Sequence, residues 1–219
     1  MKKLIILGTG GNCIDILDAV LALNAIASTP SYQVRGFLDD QQKKHGKQIH
    51  GFPVLGALSE AKRFPQDSFI NGIGSFHNYW LKSEIIAKTG LPLESFETIV
   101  HPRASVSRFA ALGPGTAVLQ NVTVNAHARI GSHVILLPNS VISHDVVIGD
   151  YSCVASGACI AGAVRIGTAC YLGANCSISN GVSMGDFSLA GIGAVVLKDV
   201  SENSVVVGNP ARSIRAARR

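Results

Sequence analysis

Large aromatic side chains are scarce in this sequence: they make up 6% of its 219 residues, with a single Trp. Any core must therefore be built from small and β-branched residues. The hydrophobic fraction of 47% supplies these in plenty and excludes a disordered chain. No apolar run is long enough to span a membrane. The opening Met-Lys-Lys-Leu-Ile-Ile-Leu-Gly superficially resembles a secretion signal. Its apolar run ends at Gly8 after four residues, too short for such a signal. None of the five cysteines (Cys13, Cys153, Cys159, Cys170 and Cys176) forms a CxxC pair, and their number is odd. Reduced thiols in a cytoplasmic protein are the simplest reading. No basic stripe is interleaved with aromatics, and no nucleic-acid motif is present, which argues against nucleic-acid binding. The formal charge is +5, spread evenly except at Arg212, Arg215, Arg218 and Arg219. Such a tail can attract phosphates, although basic ends are more often simply solvated.

What is present divides into two periods. Residues 1–98 alternate strand and helix signals. Leu4–Leu7 reads as a buried strand, followed by the turn Gly8-Thr9-Gly10-Gly11. Ile14, Leu17, Leu21 and Ala25 then recur at helical spacing. A second strand near Val34–Leu38 ends at Asp39-Asp40, and a third, Phe69–Ile73, ends at Gly74. Trp80–Lys88 reads as a helix stopped by Gly90 and Pro92. Strands alternating with helices predict a small Rossmann-like parallel sheet.

From Val100 the period becomes six. Seventeen hexads follow without an insertion, as far as Ser201. The first position is a large aliphatic in sixteen of them, Ala190 being the exception, and the fifth is always Ala, Val, Ser, Thr or Cys. A strand repeats every two residues and a helix every 3.6, so neither yields an unbroken six. Hexads of this kind predict a left-handed parallel β-helix. Each hexad makes one short strand and one corner, and three make a coil of a triangular prism. Residues 99–219 form this expected second domain. The aliphatic first residue points inward, and so does the small fifth residue, which places Cys170 and Cys176 in the core.

Two places in this scheme carry chemistry. Gly8, Gly10 and Gly11 lie between a strand and a helix, where a phosphate can approach backbone N–H groups. The GxGxxG pattern of dinucleotide enzymes is broken by Cys13, and a tight turn alone can also explain the glycines. Asp39-Asp40 lies at a strand end, where ligands bind in such sheets. Of the seven histidines, His45, His50 and His77 have no carboxylate at useful spacing, and His101 sits at the domain junction. His127 and His133 occupy fourth positions of hexads, where exposed corner polarity accounts for them. His144 and Asp145 share a corner and can project together, as a base and the carboxylate that orients it. One coil along from His144 is Gly162, which leaves room beside that base. No repeat-matched set of three histidines suggests a zinc site.

The hexad array, the His144-Asp145 pair and the closing Gly208-Asn209-Pro210-Ala211 resemble hexapeptide-repeat acetyltransferases. The Gly8-Thr9-Gly10-Gly11 turn and the Gly36-Phe37-Leu38-Asp39-Asp40 segment narrow the resemblance. It is to bacterial sugar acetyltransferases related to bacillosamine N-acetyltransferase and sialic-acid O-acetyltransferase. The resemblance implies a homotrimer with sites between neighbouring prisms. It implies acetyl-CoA as co-substrate, lying along the β-helix, and no metal. The expected acceptor is the amino group of a nucleotide-linked amino sugar, a dideoxy sugar in glycan biosynthesis. Substrate contacts are implied for Thr9, Gly10, Gly11, Asn12, Asp39, Asp40 and Gly74. Catalytic roles are implied for His144 and Asp145, and acetyl-CoA contacts for Cys153, Gly162, Gly191 and Ile192. Two departures stand out: relatives usually carry His where this chain has Asn12 and Cys153. The alternatives are transfer to a sugar hydroxyl, a trimeric zinc hydratase and a non-catalytic scaffold.

Overall fold

A computed structural model of the chain describes residues 1–217. The N-terminal unit opens with β1 (Lys2–Leu7), α1 (Gly11–Ile26) and β2 (Tyr32–Leu38). A short β3 (Gln48–Ile49) pairs antiparallel with β4 (Phe52–Gly56), then come β5 (Ser68–Asn71) and α2 (Lys82–Ala87). The sheet order is β3-β4-β2-β1-β5, and every pair except β3–β4 is parallel. Leu4–Leu7 of the interior strand β1 are fully buried, as a run without polar alternation requires between two covered faces.

Two local expectations need correcting. The buried stripe of α1 is Cys13, Ile16, Leu17 and Val20, whereas Leu21 is 42% exposed. The helix is apolar nearly all round, so its sequence does not choose a face and the sheet does. The β3–β4 hairpin was not legible at all, because Phe52-Pro53-Val54-Leu55-Gly56 is short and carries both Pro and Gly.

The second unit is the expected β-helix. Its first face stacks Ile99–Val100, Ala117–Val118, Ile135–Leu136, Cys153–Val154, Tyr171–Leu172 and Leu189–Ala190 in parallel, and continues into Ser204–Val207. The second face runs from Ser105–Val106 to Val195–Val196, and the third from Ala111–Leu112 to Ser183–Met184. Each strand pairs with the one eighteen residues later, for example Val124 with Ile142 and Ile130 with Ile148. First-position residues such as Leu136, Ile142 and Ile148 meet fifth-position residues such as Val146, Cys170 and Cys176 in one continuous core. Cys170 and Cys176 are fully buried, as their position in the hexad requires.

The corners explain why the turn falls where it does. The fourth residue of fourteen of the seventeen hexads adopts a left-handed backbone, as at Asn121 (φ 58°), Asp145 (φ 61°) and Phe187 (φ 58°). For residues other than Gly this conformation costs roughly 1–3 kcal/mol. Part of that cost is offset by a corner hydrogen bond to the preceding coil. The Asp145 N–H donates to the Ala126 carbonyl at 3.1 Å, and the Ala163 N–H donates to that of His144 at 3.0 Å. A final strand, Arg212–Ala216, turns back antiparallel on Ser204–Val207 and covers the edge that the last coil would otherwise present.

The N-terminal unit packs on the first face. Ile99, Ala117 and Leu119 join the core beneath α1, and Tyr79 packs on Tyr171. Fully buried Lys82 crosses this interface, its ammonium donating to the His133 carbonyl. Burial pushes Lys82 down to about 8. His133 is a further correction. It is 2% exposed, stacked on Tyr151 and edge-on to Phe96, not a solvated corner. Burial, followed by the charge of Lys82, lowers it to about 4.

Candidate active site

At the C-terminal ends of β1, β2 and β5 the sheet opens into a cleft of about 440 Å³. All seven residues expected to contact substrate line it: Thr9, Gly10, Gly11, Asn12, Asp39, Asp40 and Gly74. The β1–α1 turn needs its first glycine for backbone reasons. Gly8 has φ +91°, and a Cβ there would stand 2.5 Å from Ile73. Gly10 and Gly11 are different, since a Cβ on either would meet nothing within 4 Å. Their bareness opens the N-terminus of α1, whose first turn holds neither an acidic residue nor a capping side chain. Such an end favours an anion.

The charges of the cleft are arranged in pairs. Asp39 accepts from the Thr9 hydroxyl, from the Gln41 N–H at 2.8 Å and from Lys44 at 3.4 Å. Burial alone would raise its carboxyl, but these bonds outweigh burial and hold it below the usual range. Lys44 also donates to the Thr9 hydroxyl at 2.6 Å. Asp40 pairs with Lys88 at 2.9 Å and accepts from the Leu58 N–H at 3.1 Å. The Asn12 amide donates to the Gly74 carbonyl at 2.7 Å and so ties the glycine turn to the opposite wall. Lys44 and Lys88 were missed in the sequence. Neither lies in a motif, and only the chain path after β2 and the placement of α2 bring them here.

The second chemical centre is a corner between the second and third prism faces. His144 Nδ1 lies 2.8 Å from Asp145 Oδ2, and both side chains are more than half exposed. The imidazole lies over Gly162. A Cβ built there would stand 2.7 Å from His144 Cε1 and 2.8 Å from Nε2. Glycine is therefore what allows the ring to lie along the corner. Asn180, eighteen residues further on, faces the same gap: its Nδ2 is 3.2 Å from that Cβ position.

The residues expected to hold acetyl-CoA do not converge within one chain. Gly162 lies beneath His144. Gly191 and Ile192 stand on a different corner, between the first and second faces, with Ile192 81% exposed. Cys153 is on the first face and fully buried, its thiol pushed up to about 11 by burial. It offers no surface to a coenzyme, because the N-terminal unit covers that face. Among the described residues no group of three or more His, Cys, Asp or Glu could hold a metal ion. None of their helices is long and apolar enough to cross a membrane. Arg218 and Arg219 of the basic tail lie outside the described residues.

Comparison with known proteins bears on both units. Residues 3–88 match the PglD N-terminal domain, and residues 127–162 match the bacterial transferase hexapeptide (six repeats). UDP-N-acetylbacillosamine N-acetyltransferase of Bacillus subtilis is 29% identical over 121 residues, 54% of this chain. That alignment spans about half of the relative's length (52%). The acetyltransferase domain of PglB from Neisseria gonorrhoeae superposes with a TM-score of 0.84 at 27% identity, covering 98% of this chain and all of that one. The same domain has been solved with acetyl coenzyme A. PerB from Caulobacter crescentus, solved with CoA and GDP-perosamine, has a TM-score of 0.83 at 24% identity, over 98% of each chain, and attests the fold. In both matched segments, and in a fold shared along nearly its whole length with the PglB domain, the chain is similar to hexapeptide-repeat acetyltransferases.

Proposed function

We propose that the chain is an acetyl-CoA-dependent N-acetyltransferase acting on the amino group of a nucleotide-linked amino sugar, a dideoxy sugar. Residues 1–98 would bind the nucleotide and residues 99–219 would carry the transfer. The observation that supports this most directly is the His144 ring, tethered by Asp145 and lying over Gly162. Its relatives' names and bound ligands point the same way: UDP-N-acetylbacillosamine N-acetyltransferase, and PerB with CoA and GDP-perosamine.

In this reading Asp145 accepts from Nδ1–H, which leaves Nε2 as the free acceptor. Nε2 takes a proton from the sugar amine as the nitrogen attacks the thioester carbonyl. The tetrahedral oxyanion collapses, the carbon–sulfur bond breaks, and the imidazolium returns the proton to the thiolate. No acyl-enzyme is required, and the buried cysteines take no part. In the cleft, the bare N-terminus of α1 would face the diphosphate, and Asp39 and Asp40 would contact the nucleoside. Coenzyme contacts would come from Gly162, Gly191 and Ile192.

The cleft belongs to a unit packed on the first face, whereas His144 stands on the corner opposite that face. One chain therefore separates its cleft from its own base. A second copy placing its corner beside the cleft closes the gap, which supports a homotrimer with sites between prisms. Five unpaired thiols fit a reducing compartment, the cytoplasm.

The test is an assay of thiol release from acetyl-CoA against a panel of nucleotide-linked amino sugars, with hydroxyl-only sugars and sialic acid as controls. Acetylated amine product, identified by mass, is expected. Transfer only to hydroxyls would replace the N-acetyl reading, and no transfer to any acceptor would remove it. Light scattering should give three times the chain mass. An active monomer would overturn the shared-site arrangement.

A further inference from the structure

The proposed reaction needs a donor for the oxygen of the tetrahedral intermediate, and His144 cannot supply it while it holds the proton of the amine. We propose that Asn180 is that donor: its Nδ2–H bonds the thioester carbonyl oxygen as negative charge develops there. The inference rests on His144 being the base.

Three observations carry it. His144, Gly162 and Asn180 follow one another at intervals of eighteen residues and so stack on a single prism corner. The stacking is direct: the Ala163 N–H bonds the His144 carbonyl and the Gly181 N–H bonds that of Gly162, each at 3.0 Å. Second, both functional nitrogens flank Gly162. The place a Gly162 Cβ would fill is 2.8 Å from His144 Nε2 and 3.2 Å from Asn180 Nδ2. The ring edge that carries Nε2 and the Asn180 carboxamide thus lie over the same glycine. Third, Asn180 is exposed and its carboxamide makes no hydrogen bond among the described residues, so it is free for a ligand.

The chemistry suits the residue. A carboxamide donates without titrating, so it stabilises an oxyanion at any pH at which the base works. A thioester carbonyl lying over the bare face of Gly162 would have the amine on the Nε2 side and its oxygen on the Asn180 side. As the amine nitrogen bonds to carbon, the carbonyl π pair moves onto oxygen, toward Nδ2–H. It returns when the carbon–sulfur bond breaks, and the thiolate takes the proton from His144. Every atom and charge is accounted for by amine, thioester, His144 and Asn180.

The decisive experiment compares Asn180→Ala and Asn180→Asp with His144→Ala. Asn180→Ala should lower kcat by roughly 100-fold, the usual worth of one oxyanion donor, with KM for acetyl-CoA within about twofold. The acid limb of its kcat/KM–pH profile should stay in place. Asn180→Asp should lose the donor and move that limb to higher pH, because a carboxylate beside Nε2 favours the imidazolium. Near-normal kcat in Asn180→Ala, or a defect confined to KM for acetyl-CoA, would overturn the assignment. So would a shifted acid limb in Asn180→Ala, which would make the residue act through His144. If His144→Ala itself turns over normally, the base reading fails. If only the Asn180 variants do, this inference alone fails.

Discussion

The ammonium of Lys82, on the N-terminal unit, donates to the backbone carbonyl of His133 on the prism, and no part of that lysine reaches solvent. The Lys82 stem lies against Gly74, 3.6 Å from where a Cβ on that glycine would stand. One buried side chain therefore links the wall of the cleft to a prism corner. The link makes stability depend on pH. Burial lowers Lys82 from 10.5 to about 8, so the unfolded chain holds its proton more tightly than the folded one. Its contribution to stability is fully present above 10.5 and is lost as pH falls through about 8. Relative to Lys82→Met, the wild-type protein should gain stability between pH 7.5 and 9.5, by up to about 3 kcal/mol over the whole window. Chemical denaturation of both proteins at the two pH values measures this, and an unchanged difference would contradict it.

His144→Ala is expected to lower kcat by roughly two to four orders of magnitude, with acetyl-CoA affinity nearly unchanged. Asp145→Asn should cost less, since it disturbs only the tautomer and orientation of the ring. His127→Ala should be mild, because His127 stacks on exposed Phe109 one coil away and touches neither side chain of the pair in the hydrogen-bond pattern. Steady-state kinetics with a trimer check on each variant decides the matter.

Gly162→Ala should be inactive or nearly so while keeping its melting temperature within a few degrees. The added methyl would occupy the space 2.7 Å from His144 Cε1 and force the ring outward. An exposed ring can move at little cost to folding, but its Nε2 then leaves the gap. Full activity in this variant would show that the ring works from another rotamer.

Asp39→Ala should raise KM for the nucleotide sugar about tenfold and leave that for acetyl-CoA in place, the pattern of lost binding rather than lost chemistry. The carboxyl is held ionised by Thr9, Gln41 and Lys44, so the effect should persist to mildly acidic pH. Thr9→Val, which removes one of those donors, should shift the same parameter in the same direction but by less. A change confined to acetyl-CoA would move the nucleotide elsewhere.

Much of this protein is determined by its sequence alone. A large aliphatic residue at every sixth position can be buried only if the chain turns a corner every six residues, and the prism follows from that period. The same spacing stacks His144, Gly162 and Asn180 in one column, and the break in period near Val100 separates the two units. The glycine turn and Asp39-Asp40 mark the cleft because strand ends and helix starts are legible locally. The tertiary structure alone decided which prism face the N-terminal unit covers. Hexads repeat the same pattern on all three faces, so nothing periodic distinguishes the covered one. That choice buried His133 and Cys153, brought Lys82 across the interface, and set the cleft on the far side of the prism from the His144 corner. It also selected the face of α1, an apolar helix that presents no single side until a sheet and a prism close around it.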